Sequence, residues 1–502
     1  MSSLLTPEVA FANLQATALS ARCHNSFFRQ KQLKTLHDVL RNNSSALKDA
    51  VKQDTRVSDE EAATEVALSL SIVKEHYGAI DAKKELEQEY RITNGKDADD
   101  KREPWGVAYI EPQQNHTPFF AVIAPLGAAL AAGNCVVLKL ESNLRALPSL
   151  VPKLLSEALE SDTFAIISTE PGHDVVSSHF QVLQETHRTK QQRMVVEHSK
   201  LVSPGSRTIA IVDRTADLAL AAEQLVTARF AFGGSSPYAP DIILVNEYIK
   251  KEFVEHILKH SIRFLAGSND LANGSTKPKK TSNIASSLKP LQESKSWRLN
   301  TITQGDTGAI IELTNLSTLP PKSAQPILAL SSITSLEHAI SLVDEDLDTQ
   351  ETLLAAYHFG TPSAGKYLSQ FIAADVSFIN HIPTRLLLGP AAPSHHPIDL
   401  NNRYTTLQFT RAAPAYITAP SSQSSLANLI TGKESRKAAA ELLAQATQEI
   451  KEKKRAEWIA IGYFEQGILI GLSLVGIPLL TGVGTALFFG VRAGLRRWGF
   501  SQ

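Results

Sequence analysis

Residues Trp105 to Lys139 read WGVAYIEPQQNHTPFFAVIAPLGAALAAGNCVVLK. WGVAYIEP and NCVVLK carry continuous apolar runs of strand length, and FFAVIAPLGAALAAG between them is long and alanine-rich enough for a helix. The order strand, helix, strand is the βαβ unit of a parallel sheet, whose strands are buried on both faces and so lack polar alternation.

Working outward, residues from about 8 to 85 repeat apolar positions at threes and fours in FFRQKQLKTLHDVLRNNSSALKDAVKQD and again in EEAATEVALSLSIVKEHYGAI, with polar DTRVS between them. A charged connector, RITNGKDADDKREP, leads into the βαβ unit. Downstream, TFAIIST continues the series. SRTIAIVD, helical DLALAAEQLVTARFAF and DIILVN then open a second α/β region that runs through EHAISLVDEDLD and DVSFINH to about residue 403. The low-complexity GSNDLANGSTKPKKTSNIASS, with Lys277, Lys279 and Lys280, is expected to be a solvated surface segment. RYTTLQFTRAAPAYI is strand-like, SSQSSLANLITGK a linker, and ESRKAAAELLAQATQEIKEKKRAEW a strong helix former.

GILIGLSLVGIPLLTGVGTALFFGV, Gly467 to Val491, has no charge over about 25 residues, enough at ~1.5 Å per residue to cross a ~30 Å hydrocarbon core. Lys451 to Arg455 precede it and Arg492, Arg496 and Arg497 follow, with Trp458 and Trp498 suited to the two interfaces. Only RAGLRRWGFSQ comes after, so the segment is expected to act as a tail anchor that leaves the globular part in the cytosol. Basic residues on both sides leave its orientation open. The organelle also stays open among the mitochondrial outer, peroxisomal and endoplasmic reticulum membranes. The N-terminus lacks the pattern of a signal peptide. The 502 residues carry a net charge of −1, which offers no field for nucleic acid, and two cysteines, Cys23 and Cys135, too few for a disulfide framework or a zinc site.

The run Ala-Ala-Gly-Asn-x-Val-Val-Leu-Lys ending at Lys139 resembles the aldehyde dehydrogenase superfamily, most closely its short, fatty-aldehyde branch, some members of which carry a C-terminal membrane tail. QLKTLHDVLRNNSSAL with DTRVS, SRTIAIVD with ADLALAA, FGGSSPYAPDIILV, VSFINH and QFTRAAP follow the same pattern in order, over roughly residues 10 to 415. The resemblance implies an α/β fold of two doubly wound parallel-sheet domains with a bridging arm that builds a homodimer, to which the chain adds its C-terminal transmembrane helix. It would divide the chain into N-terminal helices and connector (1–104), a Rossmann-like core (105–204), a catalytic-like domain (205–403), the arm (404–420), a linker and helix (421–458), and the membrane tail (459–502).

The chemistry of the family needs a thiolate to attack the aldehyde, an amide to hold the oxyanion and a carboxylate to activate water. The cysteine of the Gly-Gln-Thr-Cys motif falls on Pro237, the glutamate of Glu-Leu-Gly-Gly on Ser203, and the oxyanion asparagine on His116, or on Asn115 with a shift of one residue. No catalytic residue is therefore expected intact. The phosphate-facing Gly-x-x-x-x-Gly loop has no counterpart, since no glycine occurs from His173 to Pro204, and Glu-x-Phe-Gly-Pro keeps only Pro326 of Lys322 to Pro326. Lys139, the lysine that would meet the adenosine ribose, survives, with Leu140 in place of the following proline. No cofactor is expected, or NAD or NADP if the chain is active.

Ser235 and Ser236 adjoin the vacated cysteine position, but the sequence assigns no histidine or carboxylate beside them, so substitute catalysis is not expected there. Cys135 is read as a small buried hydrophobe, and His395 with His396 as surface residues rather than metal ligands. These features point to a membrane-tethered pseudoenzyme that serves as a scaffold for an unidentified protein partner. The alternatives are a working NAD(P)-dependent oxidoreductase with a non-standard site and a protein that holds a lipid-like aldehyde without turning it over.

Overall fold

The computed structural model describes residues 6–98, 100–141, 143–186, 199–265, 284–346, 352–417, 425–451 and 463–498. The lysines around Lys279 and the segment 187–198, where the family pattern would put its phosphate loop, lie outside them. Contacts divide the chain into two units, Met1–Thr418 and Ala419–Gln502.

The first unit opens with five helices: α1 (Pro7–Leu19), α2 (Ser26–Asn42), α3 (Ser44–Thr55), α4 (Asp59–Ala79) and α5 (Ala82–Thr93). Ser58 and Glu61 start α4 with a reciprocal capping box, each side chain taking the other's backbone N–H. The charged segment expected to be a connector holds a short strand, β1 (Arg102–Pro104). It forms because Arg102 donates through Nε to Thr410 Oγ1 and through its terminal nitrogen to Thr410 O, both at 2.7 Å.

The βαβ unit read from the sequence is present as β2 (Val107–Glu111), α6 (Pro118–Ala132) and β3 (Cys135–Lys139). Pro118 occupies the first turn of α6, where its missing N–H costs nothing, and Gly133 ends it at φ +91°, with Cys23 O only 2.8 Å from where a Cβ would sit. Every residue from Phe119 to Ala132 is buried, which is why α6 shows no polar face. Together with α7 (Ala146–Ala158), β4 (Phe164–Ile167), β5 (Phe180–Thr186) and β6 (Lys200–Pro204), the unit makes a parallel sheet in the order β4-β3-β2-β5-β6. On one face, Leu33, Leu36 and Leu40 of α2 join α6 and α7 over Ile110, Val136 and Leu138. Each such fully buried side chain contributes about 1.5–3 kcal/mol. On the other face Phe11 and Leu14 cover Val107, Tyr109 and Val137, and Cys23 Sγ lies 3.7 Å from Cys135 Sγ.

The second sheet comprises β7 (Thr208–Val212), β8 (Ile242–Asn246), β9 (Arg298–Gln304), β10 (Ala309–Thr314), β11 (Ile327–Ile333), β12 (Ala355–Phe359) and β13 (Ser377–Ile379), in the order β13-β12-β7-β8-β11-β10-β9. It departs from an all-parallel sheet at one edge, where β9 runs antiparallel to β10. The turn Gly305–Gly308 that joins them is too short for a crossover helix. The last strand of the unit, β14 (Thr410–Ala412), pairs antiparallel with β1, and Arg411 reaches Glu103 at 2.9 Å. Within the strand-like RYTTLQFTRAAPAYI, Thr406–Phe409 close into a 3₁₀ turn, and beyond β14 Tyr416 makes an isolated antiparallel bridge to Ala98.

In the second unit a helix, Ser425–Ile430, occupies part of the expected linker, and of the helix expected over 434–458 Arg436–Ala446 is helical while 447–451 are not. Glu465–Arg497 is one helix of 33 residues with no buried side chain, and an 18-residue stretch of it has mean hydropathy 2.0, long and apolar enough to cross a membrane; it contains a π segment at Leu472–Gly476. Residues 1–459, freed of this segment, are expected to leave the membrane fraction. Continued pelleting of that truncated protein through a high-salt wash would overturn the anchor assignment.

Candidate functional site

The loop that carries Pro237 joins the helix Leu218–Phe230 to β8. Phe232, Gly233 and Gly234 all take positive φ, and at Gly234 (φ +72°) a Cβ would lie 2.6 Å from the Pro326 backbone. Only glycine lets the loop press so closely on that segment. Beyond it, the Pro237 carbonyl accepts from Thr208 Oγ1 at 3.2 Å and from the Lys322 ammonium. Lys322 also lies 3.3 Å from Asp241, whose carboxylate takes the N–H groups of Thr208 (2.8 Å) and Ser323 (2.9 Å) and faces the wholly buried Arg229 at 3.7 Å. Burial pulls both the Lys322 ammonium and the Arg229 guanidinium below their ordinary pKa values, and Asp241 opposes this. Pro237 thus sits in a braced loop with neither a nucleophilic side chain nor a backbone N–H.

Ser203 is buried, and its hydroxyl donates to Ala391 O at 2.7 Å with the Tyr404 hydroxyl 3.4 Å away. Tyr238, next to Pro237, receives the adjacent Ala392 N–H on its hydroxyl at 3.1 Å. Ser203 and Tyr238 are therefore both tied to the 391–392 segment. Among the described residues no group of three or more His, Cys, Asp or Glu side chains is placed to hold a metal.

His116 is buried at the entrance to α6. Its Nε2 lies 2.8 Å from Leu387 O and its Nδ1 2.9 Å from Ser235 Oγ, with the Phe232 ring packed edge-on. Burial pushes its pKa down to about 4, so the ring is neutral near pH 7. A carbonyl opposite Nε2 requires the proton on that nitrogen, which leaves Nδ1 as the acceptor for Ser235. This corrects the sequence reading, which left Ser235 without a base.

Ser235, Asn115, Thr117, Phe232 and Val57 line a cavity of about 160 Å³ whose wall also includes Glu65. The Glu65 carboxylate takes the N–H groups of Phe119 (2.9 Å) and Phe120 (3.2 Å) and so caps α6 from a neighbouring helix. Burial raises its pKa to about 7 against the pull of those two N–H groups. Sequence reasoning missed Glu65, although a carboxyl in the buried stripe Ala62, Val66, Ser69, Ile72 and Val73 of α4 was a visible signal.

The sequence pattern of the aldehyde dehydrogenase family matches residues 15–343. The chain belongs to that family. It is 26% identical over 280 residues to 4,4'-diaponeurosporen-aldehyde dehydrogenase of Staphylococcus aureus, covering 52% of this chain and 57% of that protein. It is 25% identical over 369 residues to aldehyde dehydrogenase family 3 member A2 of Rattus norvegicus, covering 69% and 74%. Against the first relatives it matches, the chain spans little more than half their length, 57% and 54%. A structure described as the substrate-bound state of Staphylococcus aureus AldH superposes with a TM-score of 0.66 at 20% identity over 89% of this chain and 100% of that one. NADP-dependent glyceraldehyde-3-phosphate dehydrogenase from Bacillus halodurans, complexed with NADP, gives 0.60 at 16% over 82% and 90%. The shared fold is that of the family.

The family fold implies NAD(P), which would enter a doubly wound sheet where the strand order reverses, here between β2 and β5. Two buried glutamines, Gln113 and Gln184, lie at this edge. Gln184 accepts the Gln113 N–H at 3.0 Å and donates to Ala121 O, and Gln113 donates to His116 O at 2.9 Å. Lys139 is bound to Glu111 at 2.7 Å, and Glu111 also accepts the Tyr109 hydroxyl. The lysine that the resemblance would set against the adenosine ribose is thus paired with a carboxylate.

The titration of these buried groups has opposite signs. Glu65, with a folded pKa of about 7 above the ordinary 4.5, favours the fold most when protonated, and that contribution is lost as pH rises through 7. His76, His116 and His358, each at about 4 in the fold, stabilise it above 6.5, and that contribution is lost as pH falls to 4. At about 3 kcal/mol per group, the three histidines outweigh one carboxyl on the acid side. Glu65→Gln is expected to raise the urea midpoint at pH 8 by the equivalent of about 1–3 kcal/mol and to change little at pH 5. Equal effects at the two pH values would refute the raised titration.

Proposed function

We propose that this protein is a membrane-anchored member of the aldehyde dehydrogenase family that no longer oxidises aldehydes with NAD or NADP and retains the fold as a scaffold or partner-binding surface. The observation that carries this reading is Pro237 at the nucleophile position, held by Thr208 and Lys322 in a fully formed loop. The bonded Gln113 and Gln184 and the Lys139–Glu111 pair at that sheet edge support it from the cofactor side. Calorimetry with NAD and with NADP on the detergent-solubilised chain is expected to give no heat of binding. Tight binding of either would favour a working oxidoreductase.

A second reading, retention of an apolar aldehyde-like ligand without turnover, is favoured by the cavity beside Phe232 and Val57. The β1–β14 ribbon supports homodimerisation through the arm. Each of its strands has one ladder partner among the described residues, and Tyr416 and Ile417 just beyond are exposed. The truncated protein of residues 1–459 is expected to sediment as a dimer at micromolar concentration; a monomer would remove this assembly.

A further inference from the structure

We propose that Cys23 and Cys135 form a peroxide-sensitive dithiol that closes into one reversible disulfide. The reaction is independent of whether the chain oxidises aldehydes, because neither sulfur stands at the nucleophile position.

These are the only cysteines in 502 residues and lie 112 positions apart, yet their sulfurs meet at 3.7 Å in the core. Cys135 opens β3, an interior strand between β2 and β4, and its N–H donates to Gly106 O at 2.8 Å, so this side of the pair is fixed. Cys23 sits in a single 3₁₀ turn, Arg22–His24, that joins α1 to α2. Its neighbours Ala21, Arg22, His24 and Asn25 are all exposed, which places Cys23 one layer beneath solvent. A local shift of this short turn supplies both the entry for a small oxidant and the approach from 3.7 Å to the ~2.05 Å of a disulfide.

The surroundings give the two sulfurs different roles. Cys23 follows Arg22, whereas Cys135 is wholly buried in an apolar cluster with Val107 and Val137. With the Cys135 thiol donating to it, Cys23 has its pKa lowered; Arg22 adds to that pull, against burial and the carboxylates of Asp162 and Glu160. The same hydrogen bond and burial raise Cys135. Cys23 is therefore the sulfur that ionises and reacts first, and Cys135 the one that resolves.

In the first step the Cys23 thiolate attacks one oxygen of a hydroperoxide, the O–O bond breaks, and the other oxygen leaves with the proton that Cys23 gave up. Cys23 is then a sulfenic acid. Cys135 Sγ next bonds to Cys23 Sγ, the S–O bond breaks, and water leaves with the Cys135 proton. Two thiols are oxidised by two electrons and the O–O bond is reduced by two. A thiol reductant reopens the bridge by exchange.

The test treats the full chain, reduced and in detergent, with hydrogen peroxide, blocks free thiols with N-ethylmaleimide and digests without reductant. The expected result is a peptide pair joined through Cys23 and Cys135 and an intact mass lower by two hydrogens, both reversed by dithiothreitol. Dimedone, which traps sulfenic acid, should label Cys23 at least about tenfold more in Cys135→Ser than in wild type. Equal labelling of the two would remove Cys135 as the resolving thiol and overturn the proposal. Should Cys135→Ser fail to fold, the cross-linked peptide from the wild type decides alone. Both thiols still free in folded, peroxide-treated wild type, or a bridge that forms only in urea, would also overturn it.

Discussion

Given NAD or NADP and aliphatic or aromatic aldehydes, the wild-type protein is expected to yield no NADH or NADPH, and Pro237→Cys to yield none either. Loss of the nucleophile removes the covalent route altogether, whereas loss of one oxyanion donor costs ~10²–10³-fold in rate. Restoring the thiol leaves the remaining deficits in place. Ser203 still supplies no carboxylate, and Gln113, Gln184 and Glu111 still occupy the side of the sheet that a dinucleotide would use. The double change Pro237→Cys with Ser203→Glu is expected to form a thiohemiacetal slowly, visible by mass spectrometry, with little NADH. Its second substitution meets a site already closed around a serine, because Ser203 is buried against the Ala391 carbonyl and the Tyr404 ring. Overfilling such a position costs about 1–3 kcal/mol, and the added carboxylate would face a carbonyl oxygen. Robust NADH production by the unmodified protein, persisting after trace dehydrogenases are removed, would sink the reading of lost oxidation.

Asp241→Ala is expected to prevent stable folding. Asp241 is the only acid in ion-pair reach of Arg229 and Lys322 among the described residues, and the Arg229 side chain is 0% exposed. Removing one member of a buried ionic group typically costs about 3–5 kcal/mol, because the charge left behind has no counter-ion and no water. The same substitution orphans the N–H groups of Thr208 and Ser323, adding about 1–3 kcal/mol for each. Together these approach the whole stability of an ordinary domain. Asp241→Asn keeps an acceptor and is expected to lose less. The measurement is soluble yield and the thermal midpoint of the truncated protein; a wild-type midpoint for Asp241→Ala would show that the buried charges find other partners.

The architecture was legible wherever local sequence decides it. VAYI, CVVL, TIAI and IILV are continuous apolar runs because their strands are covered on both faces, and the uncharged tail declares itself by length alone. The antiparallel β9 was not legible, since RLNTITQ differs from a parallel edge strand only in the short turn that follows. The site was legible only as far as motifs reach. Motifs single out Pro237, Ser203 and His116 as candidates, but the bond from His116 to Ser235 joins residues 119 apart in the chain. No periodicity or spacing records such a meeting. The same holds for Cys23 and Cys135, 112 residues apart, which the sequence treated separately.

The close seat of Gly234 on Pro326 separates two kinds of constraint that usually coincide in an enzyme. A methyl group at Gly234 would strike backbone, not a movable side chain, so drift at this position is checked by shape even when no reaction depends on it. Pro237, three residues on, is held through its backbone carbonyl by Thr208 and Lys322, a contact that any side chain at that position could keep. Two neighbouring positions in one loop therefore evolve under different rules. Retention of a family's glycines in a distant relative measures inherited geometry, and should not be counted as a sign that catalysis has been kept.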